Sequence, residues 1–233
     1  MIVGIAGSSV AVFDLEHWGL FADGADETSA LAALEHAHES FARFLSQHGA
    51  SCGPFQEVEV AERQPPTDEG AFDFERAPAT AAERQRTLEL YRWAREDLVR
   101  LLETATDTEL DWVDDSRRLP DWAWWHTARQ MAWHCAITES CYYLASVGVS
   151  RPPPFAELTT PLPAPSTATL LDLLAVSQAH VERSIEHLPS DLVVVTNDEV
   201  WTTRKVLRRL AGHERAENDV TAALLHNARL ALS

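Results

Sequence analysis

Apolar and polar residues alternate near the start of the chain, a pattern typical of strands that bury one face. The alternation covers residues 10–15, and the apolar residues 18–21 then lead into the turn signal Asp23-Gly24. These two segments predict a β-hairpin. A first strand is placed ahead of them, near residues 2–6.

A helical spacing of apolar residues follows the hairpin. Thr28 or Ser29 is the predicted N-cap of this helix, and Gly49 is its predicted end. Residues 55–60 alternate again and are expected to return as a strand to the same sheet. The first part of the chain therefore predicts a small ββαβ module, which makes the protein an α+β protein.

A polar segment interrupted by prolines separates this module from the rest of the chain. Residues 64–70 include Pro65, Pro66 and Gly70, which do not suit the interior of a helix or strand. We therefore predict two domains, residues 1–64 and residues 71–233, and we expect the second to be entirely helical.

Amphipathic helices are predicted throughout the second domain, because apolar residues recur there at helical spacing. The four predicted helices begin near Thr80, near Trp124, near Ser166 or Thr167, and near Trp201. Glu83 completes a capping box with Thr80 in the first of them. Helices that bury one stripe each can pack around a shared core, so a four-helix bundle is expected. The proline-rich residues 152–165 can form a long extended crossover between the second and third helices.

Two ionisable residues interrupt the apolar stripe of the fourth helix. His213 and Glu217 are one helical turn apart, so their side chains point the same way. They are in line with the aliphatic residues Val206, Leu210, Val220 and Leu224. His134 has an equivalent position on the second helix. Burying such groups is costly unless they are paired, neutralised or bound to a metal.

Two imidazoles and a carboxylate on facing helices suit zinc, nickel or iron(II), with one coordination position left open for a reactant. Two simpler interpretations stand beside this one. His134 can be a hydrogen-bonded core residue, and His213 with Glu217 can be a buried ion pair.

Other residues near these positions have structural interpretations. Trp133 and Glu139 lie off the His134 stripe and are expected at an interface or on the helix flank. The tryptophans Trp122, Trp124 and Trp125 are expected in the core, with a pocket mouth or a dimer contact as the alternative. The basic residues of the fourth helix are expected to pair with acidic residues of the same chain; they are Arg204, Lys205, Arg208, Arg209 and Arg215.

The formal net charge of −17 at pH 7 disfavours generic binding to nucleic acid or to anionic membranes. No apolar run has the length of a membrane span and no secretory signal is recognised, so a cytoplasmic location is expected. Cys52, Cys135 and Cys141 lack the C-x-x-C spacing of a zinc or redox site. Cys135 and Cys141 are expected to be small buried thiols rather than nucleophiles.

The second domain resembles the DinB family of four-helix bundles, which includes mycothiol-dependent and bacillithiol-related enzymes. The resemblance is carried by residues 129–134 through Glu139, with Tyr142 and Tyr143, and by residues 199–210 followed by His213-Glu214-Arg215. It implies a metal held by one histidine of the second helix and by an H-x-x-x-H pair of the fourth. His134 and His213 match the first two positions, and Glu217 stands where the last histidine is expected.

The first domain resembles the HicB-like ββαβ module, through residues 21–24 and the alanine-rich helix that follows. His17-Trp18-Gly19 replaces the proline-glycine-cysteine turn expected of HicB proteins, which argues against an antitoxin role. The acidic charge of the chain also argues against contact with DNA.

The resemblance implies an enzyme that acts on a small molecule in a bundle pocket, by thiol transfer, isomerisation or hydrolysis. His134, His213 and Glu217 are the expected catalytic and metal-binding residues, with zinc, nickel, manganese or iron as the ion and a low-molecular-weight thiol as a further cofactor. The carboxylate at 217 equally allows loss of the metal. Two alternatives stay open: a metal-independent enzyme using His/Glu acid–base chemistry, and a non-catalytic ligand sensor or interaction scaffold. Homodimerisation is implied by the resemblance alone.

Overall fold

The computed structural model describes residues 1–6, 10–64, 71–119, 121, 123–156 and 164–233. The chain forms two compact units: unit 1 comprises residues 1–87 and 188–212, and unit 2 comprises residues 88–187 and 213–233. The predicted boundary between residues 1–64 and 71–233 falls on residues 65–70, which lie outside the described residues. That boundary therefore stays a prediction.

Unit 1 contains a mixed sheet of four strands, β1 (Ile2–Ala6), β2 (Val10–Asp14), β3 (Phe21–Gly24) and β4 (Glu59–Arg63). Their order in the sheet is β3-β2-β1-β4, with β1 and β4 parallel and the other pairs antiparallel. Helix α1 (Glu27–Gln47) packs on β2 and β3. The first strand and the hairpin are confirmed, so the order is βββαβ, one strand more than the predicted ββαβ.

Three details of this module differ from the prediction. Asp23-Gly24 ends β3 instead of forming the turn, because residues 15–20 connect the hairpin strands. The N-cap of α1 is Asp26, whose carboxylate accepts the backbone N–H of Ser29, while the Ser29 hydroxyl completes a capping box. Residues 55–58 are not a strand, since pairing with β1 begins at Glu59. The predicted end of α1 at Gly49, which has φ 73°, is confirmed.

Unit 1 also contains a second hairpin that the sequence analysis missed. Strands β5 (Val193–Thr196) and β6 (Glu199–Thr202) pair antiparallel around Asn197 and Asp198, whose φ angles are 53° and 63°. A two-residue turn with both φ angles positive matches the twist of a hairpin, and Asn and Asp tolerate it. Trp201 is therefore a buried strand residue, and the expectation that everything after residue 71 is helical is wrong.

The helices that supply unit 2 are α2 (Ala81–Thr104), α3 (Asp107–Leu110), α4 (Ala128–Ile137), a π-helical segment (Thr138–Tyr143), α5 (Leu144–Ser146), α6 (Thr167–His187) and α7 (Thr203–Leu232). The Thr80–Glu83 capping box is confirmed. Helix α4 begins at Ala128, after its N-cap Thr127 and four residues later than predicted from Trp124. Helix α7 begins after β6.

The core of unit 2 takes residues from α2, α4, α6 and α7, among them Leu98, Ala132, Leu174 and Leu224. Trp133 is 4% exposed and stacks on Phe155, so its predicted place on a helix flank is wrong. Phe155 belongs to a 3₁₀ turn at Pro153–Phe155, so this part of the crossover is not extended. Pro161 and Pro163 lie outside the described residues.

Several predictions about charged and polar side chains are confirmed. Arg204 pairs with Glu83, Lys205 with Glu199, Arg208 with Glu75 and Arg215 with Asp219. Cys135 and Cys141 are buried, and burial raises the pKa of both thiols. In the described part of the chain, no helix combines the length and the apolar character that crossing a membrane requires.

Candidate metal centre

His134, His213 and Glu217 meet inside unit 2. Nε2 of His134 is 3.2 Å from Nε2 of His213, which in turn is 3.9 Å from Oε1 of Glu217. One ligand atom from each residue lies within 4.8 Å of the others. The side chains of His213 and Glu217 are 12% and 22% exposed, so the group is shielded but reachable. The structure thus brings together the three residues that the sequence singled out.

The local sequence around His134 fixes its ring. Oγ1 of Thr138, one turn further along, is 3.2 Å from Nδ1 of His134. The indole of Trp125 stacks on the imidazole with ring centroids 3.7 Å apart, and Trp124 approaches at 6.0 Å. Both tryptophans are half-buried beside the site, as expected of residues at a pocket mouth, and Trp124 also packs against the core. Trp122 lies outside the described residues.

Burial keeps His134 neutral. It lowers the pKa of His134 to about 2, and the neighbouring His213 contributes to the shift in the same direction. A neutral imidazole retains a lone pair, which is the form that binds a metal. Since Nδ1 faces the Thr138 hydroxyl, Nε2 is the nitrogen that His134 presents to His213.

A second layer of buried polar groups lies behind the histidines, centred on Arg95 of α2. Its guanidinium donates to Glu214 at 2.6 Å and 2.9 Å, to Glu139 at 2.8 Å, and to the carbonyl of Leu174. The Tyr91 hydroxyl donates to the same Glu139 oxygen at 3.0 Å. Glu139 and Glu214 are both 0% exposed, so one guanidinium serves two fully buried carboxyl groups.

Desolvation dominates the acidity of these two carboxyl groups. Burial raises the pKa of Glu214 to about 8, with Arg95 opposing the shift and Glu139 adding to it. Burial also raises the pKa of Glu139, again against the influence of Arg95. Two buried carboxyl groups therefore share one guanidinium, and Glu217 lies apart from them, beside His213.

Most of this second layer does not follow from the sequence pattern. The pattern predicts Glu139 at an interface or on the helix flank, but its side chain is buried in the core, at the second residue of the π-helical segment. Tyr91, Arg95 and Leu98 recur at helical spacing on α2, with Arg95 four residues after Tyr91. An arginine on such a stripe is a signal that could have revealed the buried carboxylates.

The residues present fit a metal ion. Two nitrogens bound tetrahedrally to one zinc ion at about 2.0–2.1 Å lie about 3.3 Å apart, and the two Nε2 atoms are separated by 3.2 Å. Two neutral imidazoles and a carboxylate are also an ordinary donor set for zinc or iron(II). His134, His213 and Glu217 are therefore a group that could hold a metal ion.

A sequence profile of the DinB superfamily matches residues 90–216, more than half of the chain. The chain belongs to the DinB superfamily. Comparison with curated proteins and with solved structures gives no match. The DinB match includes His134 and His213 and ends one residue before Glu217. It does not reach residues 1–64, so the HicB-like resemblance of that part stays a prediction.

Proposed function

We propose that the chain is a metal-dependent DinB-superfamily enzyme that acts on a small molecule. The divalent ion is held by His134, His213 and Glu217 within a four-helix bundle formed by α2, α4, α6 and α7. The observation that carries the proposal is the convergence of two imidazole Nε2 atoms and a carboxylate on one shielded point of unit 2. Zinc, nickel, manganese and iron are the candidate ions.

The protein groups around this point have distinct tasks. His134 and His213 supply neutral nitrogen donors, and Glu217 supplies the anionic one. The Thr138 hydroxyl orients His134, while Trp125 covers one face of its ring and keeps water from it. A bound ion would supply Lewis-acid activation of a thiol, of water or of a substrate carbonyl.

The reaction classes that suit this arrangement are thiol transfer, isomerisation and hydrolysis, with a low-molecular-weight thiol as the candidate co-substrate. The net charge of −17 supports a small-molecule substrate over nucleic acid or an anionic membrane. A cytoplasmic location and a homodimer complete the proposal.

The alternative of metal-independent acid–base catalysis has weaker support. With a pKa of about 2, His134 is a poor general base near neutral pH. His213 with Glu217 at 3.9 Å is the better pair for that role. Activity that persists after chelation would favour metal-independent catalysis. The other alternative, a non-catalytic scaffold, predicts that a double His134→Ala, His213→Ala variant still binds its partner.

Metal content tests the proposal. Protein purified without an affinity tag is stripped with a chelator, reconstituted separately with zinc, nickel, manganese and iron, and assayed by mass spectrometry. We expect one ion per wild-type chain, and far less than one in His134→Ala and His213→Ala. His226→Ala, which changes an exposed histidine of α7, is the matched control and should bind like the wild type. Absence of a stoichiometric ion from the wild type with all four metals would refute the proposal.

Catalysis is tested on the same samples. Thiol transfer is assayed with chlorodinitrobenzene and a low-molecular-weight thiol, and hydrolysis with nitrophenyl acetate. Turnover that follows metal content across the wild type and the variants supports the enzyme. Equal turnover with and without the ion would contradict metal dependence.

A further inference from the structure

One oxygen of the buried Glu139 carboxylate has a clear structural role and the other does not. Oε2 accepts hydrogen bonds from Tyr91 and Arg95 at 3.0 Å and 2.8 Å. Oε1 is buried and accepts no hydrogen bond from an amide, guanidinium or hydroxyl donor of the residues that the structure describes, although the Glu139 and Glu214 carboxyl groups hydrogen-bond each other. Leaving such an oxygen unsatisfied is costly, so its direction is informative.

Oε1 of Glu139 is directed towards the metal centre. It lies 4.0 Å from Nδ1 of His213, on the opposite side of the imidazole from the Nε2 atom that faces His134. A hydrogen bond between them needs a separation of about 3 Å. A modest rotation of the His213 ring would bring Nδ1 within hydrogen-bonding distance of Oε1.

Glu139 is the second residue of the π-helical segment Thr138–Tyr143. Its side chain is buried in the core, where it meets Arg95, and does not lie on the flank expected from the sequence. Such segments are frequent at functional sites.

We propose that Glu139 is a positioning residue for the metal centre. Its Oε1 accepts the Nδ1–H of His213 and so keeps the Nε2 lone pair of His213 turned towards His134 and Glu217. Arg95 and Tyr91 hold the carboxylate in place through hydrogen bonds to Oε2. This inference rests on the proposed function, because an orienting carboxylate behind a ligand histidine matters chiefly when the other nitrogen binds a metal.

The variant Glu139→Gln tests the role of Oε1 with little change of shape. Arg95 and Tyr91 only donate to the Oε2 position, so the amide oxygen must occupy it and the amide NH₂ must face His213. An NH₂ group is a donor, and it favours the tautomer of His213 that carries its proton on Nε2. That proton competes with the metal.

Two measurements test the role of Glu139. Competition with a chromophoric chelator gives the zinc dissociation constant, and ¹⁵N NMR identifies the His213 tautomer. We expect Nδ1–H on His213 in the wild type, Nε2–H in Glu139→Gln, and a loss of zinc affinity of about 10- to 100-fold. Glu214→Gln is the matched control, because it alters the other buried carboxyl group on Arg95 while its amide can still donate a hydrogen bond to Glu139. It should keep the Nδ1–H tautomer and lose much less affinity.

The outcomes separate this inference from the proposed function. If the wild type binds no zinc, the metal proposal fails, and the tautomers of the metal-free proteins still decide the role of Glu139. An unchanged tautomer in Glu139→Gln, with an affinity equal to that of Glu214→Gln, would overturn the inference. Should Glu139→Gln not fold, Glu139→Asp keeps the charge on Arg95 but withdraws the oxygen from His213, and an intermediate loss of affinity is expected.

Discussion

Nε2 of His134 lies 3.2 Å from Nε2 of His213, although the two residues are 79 positions apart in the sequence. At this separation the two nitrogens can share one proton or one cation, whereas a proton on each would bring two N–H donors into contact. Glu217 adds a negative charge at the same point. The pair is thus arranged to share one cation, and a divalent ion that is also bound by the Glu217 carboxylate meets that requirement.

The identity of residue 217 can be tested by changing it towards the family pattern. Glu217→His restores the H-x-x-x-H pair, and it should bind zinc at least as tightly as the wild type, because imidazole is a good zinc ligand. Glu217→Gln removes the charge and should weaken binding by roughly tenfold or more. Competition titrations compare the three proteins. An equal loss in both variants would mean that residue 217 is not a ligand.

Arg95 should be a main contributor to the stability of unit 2. Arg95→Met leaves Glu139 and Glu214 buried without a counter-ion, which should cost about 3–5 kcal/mol of unfolding free energy. Arg100→Met makes the same change on the same helix, where the side chain is 60% exposed, and should cost no more than about 0.5–1 kcal/mol. Urea unfolding of the metal-free proteins measures both. Similar costs for the two variants would contradict this assignment.

The stability of the metal-free protein should decrease as the pH rises from 7 to 9. Glu214 has a pKa of about 8 in the folded chain, well above the ordinary value of 4.5. The folded state therefore holds a proton that the unfolded state has already lost, and that advantage disappears as the pH passes 8. The expected loss is about 1.4 kcal/mol. Unfolding at both pH values in the presence of a chelator measures it, and a pH dependence of the same size in Glu214→Gln would rule out this origin.

The turn of the second hairpin offers a test in unit 1. Asp198 has φ 63°, a conformation that glycine adopts without strain. Asp198→Gly should therefore raise the unfolding free energy by up to about 1 kcal/mol. Asp198→Val, which places a β-branched residue there, should lower it. Urea midpoints of the two variants should lie on opposite sides of the wild type, and the reverse order would contradict the assigned turn.

The sequence predicted the parts of this protein that depend on regular periodicity. The spacing of His213 and Glu217 within one helix, and the alignment of His134 with its apolar stripe, require only the α-helical repeat. The Thr80–Glu83 box and Gly49 follow from local capping chemistry. These features could be predicted because the local sequence determines them and no tertiary contact changes them.

The features that were missed depend on departures from periodicity or on distant partners. Glu139 is predicted on the wrong face because its burial depends on its pairing with Arg95, and no residue type signals the π-helical segment in which it lies. Arg95 acquires its role from Glu139 and Glu214, which are 44 and 119 positions away. The hairpin at residues 193–202 was hidden by its proximity to a long helical pattern, although Asn197-Asp198 is a recognisable turn signal.

A crystal structure of zinc-reconstituted protein, with anomalous data collected at the zinc edge, tests the metal centre itself. We expect one strong anomalous peak per chain, bonded to Nε2 of His134, Nε2 of His213 and a carboxylate oxygen of Glu217, with His213 turned so that Nδ1 contacts Glu139. A structure of the reconstituted protein with no peak between these three residues, or with the ion bound elsewhere, would contradict the proposed metal centre.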